Sequence, residues 1–290
     1  MKIKTRSLRA VRVISKMRKM GPRDVVQLFE DYFEESAIVI AKSEEKEKFL
    51  FGIDSDITYE AMKSGVFREP HFEELAIAIL REEDNCLDLG ANHGSHSLIL
   101  ANICSKGKIF AFEPQSLVSQ IFSLNVYLNQ NANIVIFNLA VGARTGNIVN
   151  IEQIKTNVRQ LNSGWSRLKS SPSLHKAITV ARDDLKLPKI SFIKMDIQGS
   201  EFFALKGMKR LLSNDRPYIF FEVEDVHLNF LGTTKGELFR EITNNSYAIY
   251  RIETESPSDH LAVPFERINQ FQEMMKEKSF SYSINKLEFE

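Results

Sequence analysis

The residues best suited to ligand chemistry lie in a short segment around position 90. An apolar run ends near Asp88, passes through a turn that contains Gly90 and Gly94, and continues into a helical pattern. A second apolar run, 109–112, ends in Glu113 and Pro114. A glycine-containing loop before a helix, followed by an acid at the end of the next strand, is typical of doubly wound α/β folds that bind adenosine-containing ligands.

The spacing of the loop favours S-adenosylmethionine over a dinucleotide. Dinucleotide loops read G-x-G-x-x-G, because several backbone N–H groups must converge on a pyrophosphate. Here only Gly90 and Gly94 are present, with three residues between them, and S-adenosylmethionine has no phosphate. We expect Asp88 to orient the loop and to lie near the ammonium group of the ligand. We expect Glu113 to accept hydrogen bonds from both ribose hydroxyls.

Composition narrows the class of protein. The chain has 290 residues, 43% of them apolar, and 21 phenylalanines, which is enough for one main domain of ordinary size and an appendage. A formal net charge of zero does not favour a nucleic-acid partner. Two cysteines, no apolar run of membrane-spanning length and no secretory signal predict a cytoplasmic protein without disulfides.

Regular alternation of strand and helix patterns begins at about residue 85 and predicts an α/β fold with a mainly parallel sheet. Ligands bind such sheets at the carboxyl ends of the strands, where Asp88, Glu113, Asn138, Asp196 and Glu222 lie. The predicted strands cover 85–89, 108–113, 133–137, 178–180, 190–196, 217–223, 246–253 and 260–263. The predicted helices cover 95–104, 115–129, 182–186, 200–213 and 234–244, with an irregular insert at 144–177.

The chain is predicted to divide into a main domain and two appendages. Residues 1–80 form a basic, mostly helical cap with a helix over 73–80 and short strands near 37–41 and 49–53. Residues 81–264 form the main domain, and residues 265–290 form a tail. Residues 1–23 have nine basic residues and no acid. They predict an amphipathic helix that docks on the protein's own surface, with contact to an anionic membrane as the less favoured alternative.

The segment from Asp88 to Pro217 resembles the FkbM-type S-adenosylmethionine-dependent methyltransferases. The matching motifs are 87–94, 112–114, the helix with Asn125 and Asn129, 138–142, 162–166 and, most specifically, 193–201 followed by 204–207 and 216–217. The family usually reads Lys-x-Asp-x-Glu-Gly from the position of Lys194. Gln198 stands in place of the glutamate, which removes a charge, so no acid–base role is expected at that position.

The resemblance implies a Rossmann-like methyltransferase fold, with helices on both faces of the sheet. It also implies methyl transfer from S-adenosylmethionine to a hydroxyl of a sugar, glycan or small metabolite. An N-methyltransferase and a non-catalytic or NAD-binding protein of the same fold are the alternatives. The predicted cofactor-binding residues are Asp88, Gly90, Ala91, Asn92, Gly94, Ser95, Glu113, Pro114, Asn138, Leu139, Ala140 and Asp196.

A hydroxyl is a weak nucleophile, so the predicted chemistry needs a base beside the acceptor. Asp196 is the first candidate, although capping of the following helix is an equal alternative for it. Glu222 and His227 are the others. Ser163, Gly164, Trp165 and Arg167 are predicted to bind substrate, with Trp165 either stacking on a sugar ring or anchoring a lid. Strand-end carboxylates could ligate Mg²⁺, but no His/Cys pair has zinc spacing, and no metal is predicted.

Overall fold

The fold was analysed on a computed structural model. The structure describes residues 38–42, 47–51, 69–151, 175–254, 258–278 and 280–288, the first two ranges as backbone strands. These two strands, β1 (Ile38–Lys42) and β2 (Glu47–Phe51), form an antiparallel hairpin close to the positions predicted for short strands. The residues predicted to bind substrate, 163–165 and 167, and the basic segment 1–23 lie outside the described residues.

Thirteen strands and eight α-helices are present in the described residues. The remaining strands are β3 (Cys86–Leu89), β4 (Ile109–Phe112), β5 (Ile134–Phe137), β6 (Ala140–Val141), β7 (Ile148–Ile151), β8 (His175–Val180), β9 (Phe192–Met195), β10 (Tyr218–Glu222), β11 (Tyr247–Glu253), β12 (Asp259–Pro264) and β13 (Ser283–Lys286). The helices are α1 (Pro70–Ile79), α2 (Ser95–Ile103), α3 (Ser116–Leu128), α4 (Glu201–Lys206), α5 (Lys209–Asn214), α6 (Asp225–Phe230), α7 (Lys235–Asn244) and α8 (Ile268–Glu277).

The main sheet has eight strands in the order β13-β11-β12-β10-β9-β3-β4-β5. The five strands from β10 to β5 are parallel, as the alternation of strands and helices predicted. β12, β11 and β13 add to the β10 edge in antiparallel fashion. The sheet is therefore mixed, and β12 begins at the edge where the parallel strands end.

Helices cover both faces of this sheet, because side chains along each buried strand point alternately to opposite faces. On β9, Phe192 packs on the face that carries α1, α2 and α8, whereas Ile193 and Met195 pack on the face that carries α4, α5 and α7. The predicted Rossmann-like α/β fold is confirmed. Among the described residues, no helix is long and apolar enough to cross a bilayer.

The largest departure from the predicted order of strands lies between β5 and β9. Residues 178–180, predicted as a strand of the main sheet, belong to the longer β8, which pairs with β6 and β7 in a separate three-stranded sheet. The polar insert concealed β7, because its exposed residues interrupt the apolar pattern. The helix predicted over 200–213 is two helices, since the chain turns at Gly207, where the carbonyl of Gly142 lies 2.1 Å from the position of an added Cβ.

The C-terminal segment is part of the main domain, in contrast to the predicted tail at 265–290. Its helix α8 packs Phe271 into the core, and its strand β13 pairs with β11 at the edge of the main sheet. The polar residues of β13 gave no strand signal, because an edge strand buries only part of one face. Helix α6 was also missed, because it is only six residues long and follows β10 closely.

Candidate active site

A cavity of about 420 Å³ lies at the carboxyl ends of the parallel strands, where the fold predicted a ligand site. The three-stranded sheet and the start of β12 supply the rest of its wall. It is lined by Glu69, Gly90, Ala91, Asn92, Ser95, His96, Phe112, Glu113, Pro114, Gln115, Leu139, Ala140, Val141, Gly142, Ala143, Asn147, Val149, Ile151, Thr179, Lys194, Asp196, Ile197, Gln198, Ser200, Phe203, Glu222, Glu224 and Asp259.

The loop between β3 and α2, residues 90–94, is the predicted cofactor loop and is called so below. It forms one wall of the cavity and lies close against neighbouring backbone. The N–H groups of Gly90 and Ala91 both donate to the carbonyl of Phe112 at 3.0 Å. Gly90 has a φ of +78°, and a Cβ there would lie 1.9 Å from the carbonyl oxygen of Asp196. Only glycine therefore allows the cofactor-loop backbone to pass so close to the end of β9.

Three of the residues predicted to bind cofactor do not line the cavity. Asp88 is fully buried and accepts a hydrogen bond from the Ser97 hydroxyl at 2.6 Å. A Cβ on Gly94 would meet the ring of Phe122 at 2.1 Å, so this glycine makes room for helix packing. The Asn138 amide donates to the carbonyl of Glu113 at 2.8 Å and joins the ends of β5 and β4. These residues shape the loops from behind, whereas the expectation that Asp88 lies at the ligand is not met.

Glu113 is placed to receive a ligand at the end of β4. Its two carboxylate oxygens accept the backbone N–H groups of Asn92 at 3.0 Å and Gln115 at 2.8 Å. Burial raises the pKa of Glu113 to about 7, despite these two hydrogen bonds and the nearby Lys194. The cavity is also lined by other predicted cofactor residues, namely Ala91, Asn92, Ser95, Pro114, Leu139 and Ala140.

Asp196 and Glu222, the two predicted catalytic carboxylates, line the cavity together and share a hydrogen bond. Burial and the adjacent Asp196 raise the pKa of Glu222 to about 10, so its carboxyl group is protonated at neutral pH. Burial alone would raise the pKa of Asp196, but Lys194 and the hydrogen bond from Glu222 lower it. The pair thus consists of one acid and one carboxylate.

Lys194 fixes this arrangement from beneath. It is 3% exposed, and its Nζ donates to the carbonyl of Gly90 at 3.0 Å. The same Nζ lies 3.7 Å from Asp88 Oδ1 and 3.5 Å from Asp196 Oδ2. Burial alone would lower its pKa, but the two carboxylates outweigh this effect and raise it. A permanent cation therefore links the cofactor loop to Asp196.

The turn after β9 is held by side chains of its own motif. Gln198 has a φ of +54°, and its amide donates to Asp196 Oδ1 at 3.0 Å. Glu201 accepts the N–H of Ile197 at 3.0 Å and is 3% exposed, which gives it a structural role. Gln198 therefore orients Asp196 through a neutral hydrogen bond, where a glutamate would place a second negative charge.

His227, the third predicted catalytic residue, does not line the cavity. It is 2% exposed, and its Nε2 lies 2.5 Å from the carboxylate of Glu224, which does line it. His227 lies in the first turn of α6 with its ring buried, so a direct catalytic role for it is not supported.

Several residues that line the cavity were not among the predicted site residues. Glu69 and His96 both line the cavity and contact each other, with 2.9 Å between Glu69 Oε2 and His96 Nε2. Asp259 enters because β12 is antiparallel to β10 and starts at the site edge. A strand over 260–263 was predicted from the sequence, but its direction was not. The Glu69-Pro70 pair, a helix-start signal, was the only hint at Glu69.

Comparison with models of known protein families gives the family of this chain. The sequence model of the methyltransferase FkbM domain matches residues 88–251, more than half of the chain. The chain belongs to the FkbM methyltransferase family. The match includes the loop after β3, Glu113, Asp196 and Glu222.

Several solved structures of methyltransferases are similar to this chain, at low sequence identity and with TM-scores below 0.5. An FkbM methyltransferase from Methylobacillus flagellatus is 18% identical, with a TM-score of 0.45, and the match covers 71% of this chain and 53% of that one. A precorrin-6y C5,15-methyltransferase from Geobacter metallireducens is 13% identical over 69% of this chain and 89% of its own, with a TM-score of 0.40.

A putative rRNA methylase from Clostridium thermocellum is 9% identical over 75% of this chain and 94% of its own, with a TM-score of 0.42. The match to the FkbM methyltransferase from Methylobacillus flagellatus spans only about half the length of that protein. The comparison with curated protein sequences gave no significant match.

Proposed function

We propose that this protein is an S-adenosylmethionine-dependent O-methyltransferase that methylates a hydroxyl of a sugar, glycan or small metabolite. The single observation that carries the proposal is the position of Asp196. Its backbone lies against the cofactor loop at Gly90, and its carboxylate lines the cavity beside Glu222. A carboxylate is thereby held within reach of the place where cofactor and acceptor would meet.

The residues present fit S-adenosylmethionine. Gly90 lets the loop backbone lie directly against the end of β9 at Asp196, and the carboxylate of Glu113 supplies charged acceptors for the ribose hydroxyls. Ala91, Asn92, Ser95, Leu139 and Ala140 would line the rest of the binding site. When bound, the cofactor supplies an electrophilic methyl group on a sulfonium.

The chain's own residues then act on the acceptor. Asp196 accepts a hydrogen bond from the acceptor hydroxyl and takes its proton as the new O–C bond forms and the S–C bond breaks. Lys194 and Gln198 hold the Asp196 carboxylate in place, and the protonated Glu222 donates a hydrogen bond to it. Positioning and proton acceptance of this kind typically contribute rate factors of about 10²–10⁴.

The substitution Asp196→Asn tests this assignment. It keeps the shape of the side chain and removes the proton acceptor, so we expect kcat to fall about 10²–10⁴-fold while the affinity for S-adenosylhomocysteine changes less than about threefold. Turnover is measured by mass spectrometry of methylated products formed from labelled donor and host extract, and affinity by calorimetry. Asp225→Asn, an exposed aspartate on α6, is the matched control and should retain wild-type turnover.

Two results would contradict the proposal. Unchanged turnover in Asp196→Asn would remove this residue as the proton acceptor. Products methylated only on nitrogen would point to the N-methyltransferase alternative, because an amine needs no carboxylate of low pKa to become nucleophilic.

A further inference from the structure

A second group of side chains lies at the edge of the cavity and is not used by the proposed proton transfer. Glu69 precedes α1, His71 lies in the first turn of α1, and Asp259 begins β12. His71 and Asp259 are 5% and 4% exposed, while Glu69 and Asp259 line the cavity. One ligand atom from each of the three lies within 4.8 Å of the other two. We refer to these three residues as the Glu-His-Asp cluster.

The distance between His71 and Asp259 is that of two ligands on one metal ion. His71 Nε2 and Asp259 Oδ2 are 2.8 Å apart. Ligand atoms that bind one ion at about 2.0–2.2 Å lie roughly 3 Å from each other when they are adjacent in the coordination sphere. A small ion could therefore replace the His71–Asp259 contact with little movement of either side chain.

Neighbouring groups hold the potential ligands in position. The ring of His71 packs edge-on against Tyr282, with 5.8 Å between centroids, and the Tyr282 hydroxyl donates to the His71 carbonyl at 3.0 Å. Glu69 uses one carboxylate oxygen for its contact with His96, which leaves the other oxygen for a ligand. Metal ligands in proteins are usually oriented by an outer layer of contacts of this kind.

The charges around the cluster favour a cation. Besides Glu69 and Asp259, the ionised Asp196 contributes negative charge here; it is hydrogen-bonded to the neutral Glu222, which lies opposite Asp259 in the β10–β12 register. The fixed cation among the described groups here, Lys194, is already shared between Asp88 and Asp196. The carboxylates thus exceed the permanent positive charge beside them.

We propose that the Glu-His-Asp cluster binds a divalent first-row metal ion such as Mn²⁺, with its open coordination positions facing the cavity. One imidazole and two carboxylates form a mixed nitrogen and oxygen ligand set, which suits Mn²⁺, Fe²⁺ or Zn²⁺ better than Mg²⁺. The sequence predicted no metal because residues 69–71 and 259 are far apart in the chain and show no ligand spacing.

The role of this ion in catalysis rests on the proposed function. The metal would bind the acceptor hydroxyl oxygen and weaken its O–H bond. The proton would pass to Asp196 as the O–C bond forms and the S–C bond breaks, and the metal would keep its oxidation state. This places the acceptor oxygen between the ion and Asp196.

Metal titration of the full chain tests the site without any need for turnover. Protein treated with EDTA and then freed of it is titrated with Mn²⁺, and separately with Zn²⁺, by calorimetry. Electron paramagnetic resonance monitors the free Mn²⁺. We expect one ion per chain and a loss of affinity of at least about tenfold in Asp259→Asn. The matched control Asp225→Asn should bind as the wild type does.

A second variant and two structural readouts keep the test decisive. Glu69→Gln, nearer the solvent, should also weaken Mn²⁺ binding by about tenfold or more. Thermal unfolding and S-adenosylhomocysteine binding show whether each variant is folded. Absence of 1:1 binding of either ion, or wild-type affinity in both folded variants, would overturn the inference. Methyl transfer that persists in EDTA without metal binding would overturn it while leaving the proposed function intact.

Discussion

At the scale of single residues, the site depends on close approach of backbones at Gly90. This residue combines a φ of +78° with a Cβ position 1.9 Å from the Asp196 carbonyl oxygen. Gly232 has a nearly equal φ of +76°, but nothing lies within 4 Å of its Cβ position. The two glycines therefore separate the effect of steric contact from the effect of backbone conformation.

We predict that Gly90→Ala and Gly232→Ala behave differently. Each alanine pays the penalty of the left-handed region, about 1–2 kcal/mol. Only Gly90→Ala also forces the cofactor loop away from β9, so it should lose S-adenosylhomocysteine binding and considerably more stability. Denaturant unfolding and calorimetry measure both effects. Equal unfolding free energies for the two variants would show that the close contact at Gly90 has no consequence.

The residues that could be predicted from sequence are those of contiguous motifs. Gly90, Glu113 and Asp196 each lie at the end of an apolar run, and parallel strands bring such ends together at one edge. All three line the cavity. Asp88 and His227 do not line the cavity, because sequence position shows that a residue is near the edge but not whether its side chain points into the cavity. The assignment of Ser163, Gly164, Trp165 and Arg167 to substrate binding stays a prediction.

At the scale of elements, the antiparallel strands explain what sequence reasoning missed. β12 runs opposite to β10, so the start of β12 rather than its end reaches the site, and Asp259 enters there. β13 then extends the sheet beyond β11. Strand direction depends on long-range pairing, which a local pattern of apolar residues does not encode. The parallel half of the sheet was predictable because helical crossovers fix its direction.

The edge strand β13 gives a prediction at this scale. Ile284 packs against the core beneath the sheet, whereas the adjacent Asn285 is exposed on the opposite face. Ile284→Ala should lower the free energy of unfolding by about 1–3 kcal/mol, because it removes partly buried apolar surface. Asn285→Ala should change it by less than about 0.5 kcal/mol. Equal stabilities in denaturant titrations would show that β13 is not packed on the domain.

At the scale of the whole molecule, the mixed sheet brings distant parts of the chain to one cavity. Glu69 precedes the first helix of the domain, Glu113 and Asp196 follow parallel strands, and Asp259 begins an antiparallel strand. In the proposed function, the parallel half supplies the cofactor side of the cavity, and the antiparallel edge adds carboxylates on the acceptor side. This division explains why the cofactor could be inferred from local motifs and the acceptor could not.

We predict that the affinity for S-adenosylhomocysteine depends on pH, because Glu113 is buried. The pKa of Glu113 is raised to about 7, so the carboxylate is mostly ionised at pH 8 and mostly protonated at pH 6. The ionised form is the better acceptor for two ribose hydroxyls. Affinity should therefore fall as the pH drops through 7, by about tenfold if only the ionised form binds. Glu113→Gln should bind weakly at both pH values, without this dependence.

Calorimetry with S-adenosylhomocysteine at pH 8 and pH 6, on the wild type and Glu113→Gln, tests whether the cavity binds this cofactor through the Glu113 carboxylate. We predict 1:1 binding that weakens about tenfold at the lower pH in the wild type, and weak, pH-independent binding in Glu113→Gln. Tight binding of NAD with no binding of S-adenosylhomocysteine would contradict the account. Equal affinity of the wild type and Glu113→Gln at pH 8 would show that this carboxylate does not hold the cofactor.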